Sequence, residues 1–193
     1  MHWFQKTTAV CSLLLAVATA GLPASASTKN WQERLNFEQV SPVLYRGKEP
    51  KEQDYERLAQ AGIKTIVNLR LSPHSARRSL ERSRQYGMNH FHLPIGFFRR
   101  PYKEVEQFVH IVSDQQNQPA YVFCQGGRDR AGFMVMAYRV KVEDCDYEKA
   151  YSEMREHRFR RWLITLWRTA KDLKEEPALV HRSDHASIAS KRE

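Results

Sequence analysis

The stretch from Cys124 to Arg130 combines the groups that phosphate chemistry requires. A cysteine stands six positions before an arginine, with Gly126 and Gly127 between them. The apolar run before Cys124 predicts a strand, and the pattern after Arg130 predicts a helix. A thiol, a turn of backbone N–H groups, a helix N-terminus and a guanidinium would then point at one place, which suits a tetrahedral dianion.

Attack of a Cys124 thiolate on phosphorus is the reaction that this arrangement favours. Helix N-termini and nearby cations favour the thiolate form of a cysteine, and Arg128 and Arg130 supply positive charge here. We therefore expect a phosphocysteine intermediate. Arg130 would bind the phosphate through bidentate hydrogen bonds from its guanidinium group, which a lysine cannot form. This chemistry needs no cofactor and no metal ion, and we predict neither. The residues expected to surround the phosphate are Gln125, Gly126, Gly127, Arg128 and Ala131.

The rest of the pattern predicts the elements that hold this loop. Apolar and β-branched runs predict strands at 37–40, 43–45, 63–69, 88–93 and 120–123. Apolar positions at helical spacing predict helices at 50–61, 103–116, 131–142, 146–156 and 158–174. A solvated surface helix with few apolar residues is predicted at 75–86, and a polar lead-in at 28–36. The alternation indicates an α/β fold, with a central, mainly parallel sheet of four to five strands flanked by helices. Ligands of such sheets bind beyond the carboxyl ends of the strands.

Composition favours an anionic partner. The 193 residues suffice for one domain with a core, and 41% hydrophobic and 27% charged content are typical of globular proteins. A formal net charge of +9 suits phosphorylated molecules, acidic lipid head groups or nucleic acid. Because no nucleic-acid-binding pattern is present, we predict no nucleic acid partner. The expected partner is a phosphorylated protein, an inositol phosphate or another phosphomonoester.

Residues 1–26 predict an export signal that is cleaved. Lys6 is their one charge, an apolar run extends from Ala9 to Leu22, and Ala24-Ser25-Ala26 has the small-x-small pattern of a cleavage site. The run is shorter than the roughly 20 apolar residues of a membrane span, although an uncleaved anchor stays the alternative. We expect an exported protein, periplasmic or secreted, without stable membrane insertion after cleavage. The domain would then span 27–174, and 175–193 would be a flexible tail.

The motif resembles the phosphate-binding signature of the cysteine-dependent protein tyrosine and dual-specificity phosphatases. Cys-x-x-Gly-x-Asp-Arg-x-Gly, with Asp129 before the arginine, is similar to the phosphoinositide-phosphatase branch. Segments 44–47 and 62–70 and the Leu93-Pro94 loop resemble small atypical dual-specificity enzymes of bacteria, plants and fungi. The resemblance covers about 37–174. It implies a phosphomonoesterase with Cys124 as the nucleophile and Arg130 as the phosphate-binding residue.

Three positions depart from the pattern of that family. Phe123 stands where the family usually has a histidine, which implies a smaller thiolate fraction. Ala131 stands where it usually has serine or threonine, which implies slow breakdown of the phosphocysteine. The segment 94–103 contains no acid, whereas the family usually has an aspartate there that protonates the leaving group. Such acid catalysis is typically worth about 10²–10⁴-fold.

Two carboxyl groups are candidates for the missing acid. Asp129, inside the phosphate loop, is the first, and its alternative role is an ion pair with Arg128 or another neighbour that orders the loop. Glu104 is the second, and its alternative role is to favour the first turn of a helix. Arg99 and Arg100 are candidates to bind a second phosphate or an acidic substrate, or else form an ordinary solvated loop.

Other functions also fit part of the pattern. Because all three departures affect catalysis rather than binding, a pseudophosphatase or phosphate-binding module without efficient turnover is the main alternative. A sulfurtransferase is less favoured, since its shorter loop would put Asp129 where the arginine belongs. Arg46 and Arg70 lie at loops next to strand ends and are expected to form structural ion pairs, with a position facing the site as the alternative. Cys145 is expected to be a partly buried small hydrophobe, with a disulfide to Cys124 as the alternative.

Overall fold

A computed structural model describes residues 26–161 and 163–175, and a five-stranded sheet lies at the centre of this part of the chain. The strands are β1 (Glu38–Ser41), β2 (Leu44–Lys48), β3 (Thr65–Asn68), β4 (Asn89–His92) and β5 (Ala120–Cys124). The helices are α1 (Ala26–Leu35), α2 (Glu52–Gln60), α3 (Pro73–Gln85), α4 (Tyr102–Ser113), α5 (Asp129–Lys141), α6 (Tyr147–Glu156) and α7 (Ile164–Glu175), with a 3-10 turn at Gln115–Asn117.

The sheet has the strand order β1-β2-β5-β3-β4. β1 is antiparallel to β2, and the other three pairings are parallel. The predicted α/β fold with a mainly parallel sheet is thereby confirmed. The four parallel strands have their carboxyl ends on the same side of the sheet: β2, β5, β3 and β4. β5 lies between β2 and β3. Cys124, the last residue of β5, is the register partner of Lys48, the last residue of β2.

Both faces of β5 are buried, and its side chains alternate between two apolar clusters. Val122 and Cys124 belong to the larger cluster, which includes most of α5 and the inner faces of α4, α6 and α7. Tyr121 and Phe123 belong to the smaller one, together with Trp31 and other side chains from α1 and α2. The apolar run that precedes the cysteine therefore anchors the loop from both sides of the sheet.

The largest differences from the predicted boundaries are at 28–36 and 158–163. The lead-in predicted at 28–36 lies mostly in α1, because Trp31 and Leu35 are buried in the smaller apolar cluster. The helix predicted from Arg158 begins only at Ile164. Arg158 has a φ of 63°, in the left-handed region that a right-handed helix excludes, so the chain turns away there before α7 starts.

Two further predictions concern the ends of the chain. The predicted export signal, apart from Ala26, and the predicted tail beyond Glu175 lie outside the described residues. Within 26–161 and 163–175, no helix has the length and apolarity required to cross a membrane.

Candidate active site

The phosphate loop joins the end of β5 to the start of α5. Cys124 ends the strand, residues 125–128 form the turn, and α5 begins at Asp129, two residues earlier than predicted. Arg130 and Ala131 thus lie in the first turn of the helix, where backbone N–H groups have no partner within the helix. The positive end of the helix dipole faces the same place and favours an anion. The predicted order of strand, loop and helix is confirmed.

Gly127 fixes the loop against the neighbouring strand. Its φ is 68°, and a Cβ there would lie 2.6 Å from the carbonyl carbon of Gly47 in β2. Gly47 is equally confined, since its own Cβ would lie 2.2 Å from the Tyr121 hydroxyl. That hydroxyl donates a hydrogen bond of 2.7 Å to the carbonyl of Lys48. The loop therefore rests directly on the backbone of β2.

A cavity of about 370 Å³ opens at this loop. Cys124 is only 4% exposed and lines the cavity as a largely buried residue. Two predicted loop residues do not line it, because Gly127 packs on β2 and Ala131 is fully buried below the loop. The lining consists of Phe97, Cys124, Gln125, Gly126, Arg128, Asp129, Arg130, Arg160 and Leu163.

Arg130 is a half-buried cation held by an aromatic ring. Its guanidinium carbon lies 5.0 Å from the centre of the Phe97 ring, within the range of a cation–π contact. Burial lowers the pKa of Arg130, the charge of Cys124 opposes that effect, and the positive charge of Arg70 adds to it. Phe97 is tethered in turn, because its carbonyl accepts a 2.9 Å hydrogen bond from the Thr165 hydroxyl of α7. The guanidinium is therefore positioned near Cys124, and none of the described carboxylates forms an ion pair with it.

Asp129 is buried and binds Arg160. One carboxylate oxygen accepts hydrogen bonds from the backbone N–H and Nε of Arg160, and the other accepts from Nη2 at 2.7 Å. This hydrogen bonding raises the pKa of Arg160. The contact joins the phosphate loop to the segment 157–161 between α6 and α7, here called the connector. A carboxylate occupied on both oxygens favours the loop-ordering alternative over the acid role.

The β4–α4 loop, residues 93–101, directs its arginines away from the cavity. Arg99 forms an ion pair with Glu104, and Arg100 lies 2.6 Å from Asp172 of α7. Neither arginine lines the cavity. Glu104 is in the first turn of α4, as its alternative role required, and is buried, with Oε2 lacking a hydrogen-bond partner among the described residues. These contacts favour the alternative of an ordinary solvated loop over substrate binding by Arg99 and Arg100.

Ion pairs beside the cavity support the ends of β2 and β3. Arg46 is buried and bonds to Glu38 at 2.9 Å, and Arg70 pairs with Glu49, so both expected structural pairs are present. Glu49 also accepts hydrogen bonds from a serine and a second arginine of α3. The charge of Arg70 is felt by Arg130, which places this network next to the phosphate loop.

The two substituted family positions are part of the apolar core. Phe123 is fully buried, with its ring centre 6.2 Å from that of Tyr121, so a histidine there would need a polar partner inside an apolar cluster. Ala131 is fully buried in the larger cluster. Apolar packing therefore takes the place of both polar groups.

Cys145 lies beyond the far end of α5 and packs partly buried against the larger cluster, as expected. The 13 residues of α5 rise by about 20 Å between the two cysteines, which no disulfide spans. Both thiols are free. Among the described residues, no group of three or more histidine, cysteine or carboxylate side chains could hold a metal ion.

Three residues that line the cavity are absent from the predicted site: Phe97, Arg160 and Leu163. Arg160 was assigned to the interior of a helix, although the basic run 158–161 offered a hint that this segment meets an acid. Phe97 lies in the acid-free segment 94–103, for which only Arg99 and Arg100 are predicted to contact substrate. Its contact with Arg130 depends on tertiary packing and has no local signal.

Comparison with known proteins adds a family to this geometry. The family model described as DSP-PTPase phosphatase fused to NAD+ kinase matches residues 17–177. No sequence match is found among curated proteins.

Solved phosphatase structures share the fold at low sequence identity. The catalytic core of the PP-IP phosphatase Siw14 from S. cerevisiae has a TM-score of 0.61 and 19% identity over 70% of this chain and 83% of that one. TpbA from P. aeruginosa has a TM-score of 0.59 and 20% identity over 72% of this chain and 86% of that one. A cysteine-to-serine variant of TpbA in complex with phosphotyrosine has a TM-score of 0.59 and 23% identity over 76% and 86%.

The matched family, the common fold and the thiol in a phosphate loop agree with one another. They do not favour a module without turnover. The chain belongs to the dual-specificity and tyrosine phosphatase family matched over residues 17–177, whose members are cysteine-dependent phosphomonoesterases acting through a phosphocysteine.

Proposed function

We propose that this phosphatase acts on phosphoryl groups whose leaving group departs without an acid: aryl phosphates of the phosphotyrosine type and terminal phosphoanhydrides. The observation that carries this proposal is the state of Asp129. It is the one carboxyl group in the described lining of the catalytic cavity, and both of its oxygens are bound to Arg160. A carboxylate that accepts hydrogen bonds from Arg160 on both oxygens is directed at that residue and not at a leaving group.

The proposed first step uses Cys124 and Arg130. The thiolate of Cys124 attacks phosphorus in line, the bond to the leaving oxygen breaks, and that oxygen carries away the electron pair. Arg130 and the N–H groups of the first turn of α5 stabilise the equatorial oxygens. Water then attacks the phosphocysteine and releases inorganic phosphate with the thiolate restored.

The nature of the leaving group decides which substrates react quickly. A tyrosine phenol has a pKa of about 10 and a phosphate monoester a second pKa of about 6, so both leave as tolerable anions. A serine or inositol alkoxide is far more basic and needs a proton. Two structural neighbours are consistent with this class: Siw14 is described as a PP-IP phosphatase, and a variant of TpbA was solved with phosphotyrosine.

A leaving-group series tests the proposal. We expect kcat/KM to fall steeply from 4-nitrophenyl phosphate to phenyl phosphate, and benzyl phosphate to react at least about 10²-fold more slowly than phenyl phosphate. Asp129→Asn should leave the slope against leaving-group pKa unchanged, and Cys124→Ser should be inactive. A shallow slope in the native protein that steepens in Asp129→Asn would instead make Asp129 the general acid.

We also propose that the protein acts after export from the cytoplasm, on the basis of residues 1–26. N-terminal sequencing of the mature protein should then begin at Ser27, and the substitution Ala26→Asp should block cleavage. An intact N-terminus on active cytoplasmic protein would contradict this proposal.

A further inference from the structure

A second and larger cavity adjoins the catalytic one. It has a volume of about 710 Å³ and lies between the ends of β1 and β2, the phosphate loop, and the end of α6 with the connector. Gly126 and Arg128 line both cavities, so a ligand anchored at Cys124 reaches the second one by passing Arg128. This space is called the basic cavity below, after the basic side chains that line it: Arg46, Lys48, Arg128, His157 and Arg158.

The positive charge of the basic cavity is only partly compensated. Its two carboxylates are Glu38 and Glu156, and Glu38 is shared by Arg46 and His157 at 2.9 and 3.3 Å. The side chains of three further cations form no ion pair or hydrogen bond with any described residue: Lys48, Arg128 and Arg158. Like charges around one space repel each other, and an anion between them removes that cost.

Arg46 places a largely buried guanidinium in the wall of the basic cavity. The residue is only 3% exposed, and its Nε and Nη2 bond to Glu38. Its Nη1 is buried and has no hydrogen-bond partner among the described residues. This nitrogen lies on the α5 side of the wall, 3.8 Å from the position of a Cβ on Gly132, so Arg46 acts on the cavity through its charge and not through this N–H group.

The walls of the basic cavity are held in a fixed position relative to Cys124. Gly127 rests on the backbone of Gly47 on the β2 side. On the other side the connector is anchored by Arg160 to Asp129, and Arg158 lies two residues earlier at the left-handed turn. Because both contacts involve the phosphate loop itself, the distance between the two cavities is set by the fold.

We propose that the basic cavity is a second anion site, which holds a further phosphate group of a polyphosphorylated small molecule while Cys124 attacks the first. The inference rests on the proposed function for the identity of the reacting group, and on the cations above for the second site. Arginine and lysine side chains at several angles suit phosphate oxygens. A volume of about 710 Å³ exceeds the needs of a single phosphate ion and fits a ring bearing several of them.

Equilibrium binding separates this site from catalysis. Calorimetric titration would use the inactive Cys124→Ser protein with two probes, inorganic phosphate and myo-inositol hexakisphosphate. We expect hexakisphosphate to bind at least about tenfold more tightly than phosphate. Lys48→Gln and Arg158→Gln should each lower the affinity ratio of hexakisphosphate to phosphate by about three- to tenfold, and the double variant should lower it by more than either single one.

Arg77→Gln is the matched control, because Arg77 is an exposed cation on α3 outside both cavities. It should leave the affinity ratio unchanged. An equal loss in Arg77→Gln would reduce the effect to the overall charge of the protein, and equal affinity for the two probes would remove the second site; either result overturns the inference. A thermal melt of each variant checks that it is folded.

Two further measurements identify the class of ligand and separate this inference from the proposed function. If the lysine and arginine variants impair binding of an acidic phosphotyrosine peptide as strongly as that of hexakisphosphate, the assignment to a small molecule is wrong. If native protein binds hexakisphosphate through Lys48 and Arg158 but hydrolyses no phosphoryl compound, the proposed function fails while the second anion site stands.

Discussion

The phosphate loop and the β4–α4 loop border the same cavity but are built in different ways. The phosphate loop is held by the Gly127–Gly47 contact on one side and by the Asp129–Arg160 pair on the other. The β4–α4 loop carries Phe98, which is 100% exposed, and its arginines pair with acids outside the cavity. The phosphate-binding groups are therefore held in position before substrate binds. In contrast, no described residue of the β4–α4 loop is placed to donate a proton to the leaving group.

Two buried acids, Asp129 and Glu104, show the same difference between the two loops. Asp129 has hydrogen bonds on both oxygens, and Glu104 has one oxygen paired with Arg99 and one without a partner among the described residues. Asp129 lines the catalytic cavity and Glu104 does not. Asp129, which has access to substrate, therefore has hydrogen bonds on both oxygens. Glu104, which has one oxygen without a partner among the described residues, is paired with Arg99 and does not line the cavity. Substitutions in both loops can break or sharpen this comparison.

The largest effect is expected at the centre of the phosphate loop. Arg130→Lys keeps the charge but loses the planar fork, so kcat/KM for 4-nitrophenyl phosphate should fall by about 10²–10³-fold. Steady-state kinetics measure this, with Arg77→Lys as the control on an exposed surface. A loss below about threefold would mean that the phosphate loop is not the organised part of the site.

A smaller effect is expected where the connector holds the loop. Arg160→Gln leaves the buried carboxylate of Asp129 without its cation, and we expect a loss of about 1–2 kcal/mol in the free energy of unfolding. We also expect kcat/KM to fall about tenfold for both activated and unactivated aryl phosphates, because the loop loosens equally for each. Urea titration and kinetics test this, with Arg168→Gln on the exposed face of α7 as the control.

A still smaller effect is expected in the β4–α4 region. Glu104→Gln should change kcat/KM less than about threefold for every leaving group, because Glu104 does not line the cavity. The matched control is Glu106→Gln, an exposed acid on the same helix. Should Glu104→Gln lose about 10²–10⁴-fold on phenyl phosphate and little on 4-nitrophenyl phosphate, Glu104 would be the acid and the contrast between the loops would collapse.

The last prediction concerns the support beneath the β4–α4 side of the sheet. The pKa of His90 is lowered to about 4 by burial, with smaller contributions from His92 and Arg84, and its Nε2 lies 2.7 Å from the Ser79 hydroxyl. A histidine in the unfolded chain has a pKa of about 6.5. Between about pH 6.5 and pH 4, the unfolded state therefore binds a proton at this residue and the folded state does not. The contribution of neutral His90 to the free energy of unfolding is therefore fully present above about pH 6.5, and it is lost as the pH falls towards 4.

Allowing for solvent screening, the loss should be about 1–2 kcal/mol between pH 7 and pH 4.5. Urea unfolding at both pH values should show a smaller difference for His90→Gln than for the native protein. His110→Gln, at an exposed position of α4, should keep the native pH dependence. An unchanged pH dependence in His90→Gln would show that His90 does not cause it.

Much of this architecture was predictable because its signals are local. The apolar run of β5, the glycines and the apolar positions of α5 lie within about 20 consecutive residues, and each element follows from its own periodicity. The departures at Phe123 and Ala131 were also visible, but their burial in two different clusters was not. That distinction depends on which face of the sheet each side chain joins.

The unpredicted parts depend on contacts between distant segments. Arg160 meets Asp129 across 31 residues, and the apolar stripe of α7 extended the predicted helix over the connector that makes this contact. Lys48 and Cys124 are neighbours only because β2 and β5 pair in parallel in one register. No periodicity reports such pairings, so the basic cavity had no signal in the sequence.

The contact between Gly127 and Gly47 has a consequence for transplanting this site. A backbone of one segment occupies the space that a side chain of the other would need. A graft of residues 124–130 into a related scaffold would therefore keep its shape only if the recipient strand also had glycine at the position of Gly47. The unit that would have to be moved between proteins is two segments separated by about eighty residues, with the loop and its seat taken together.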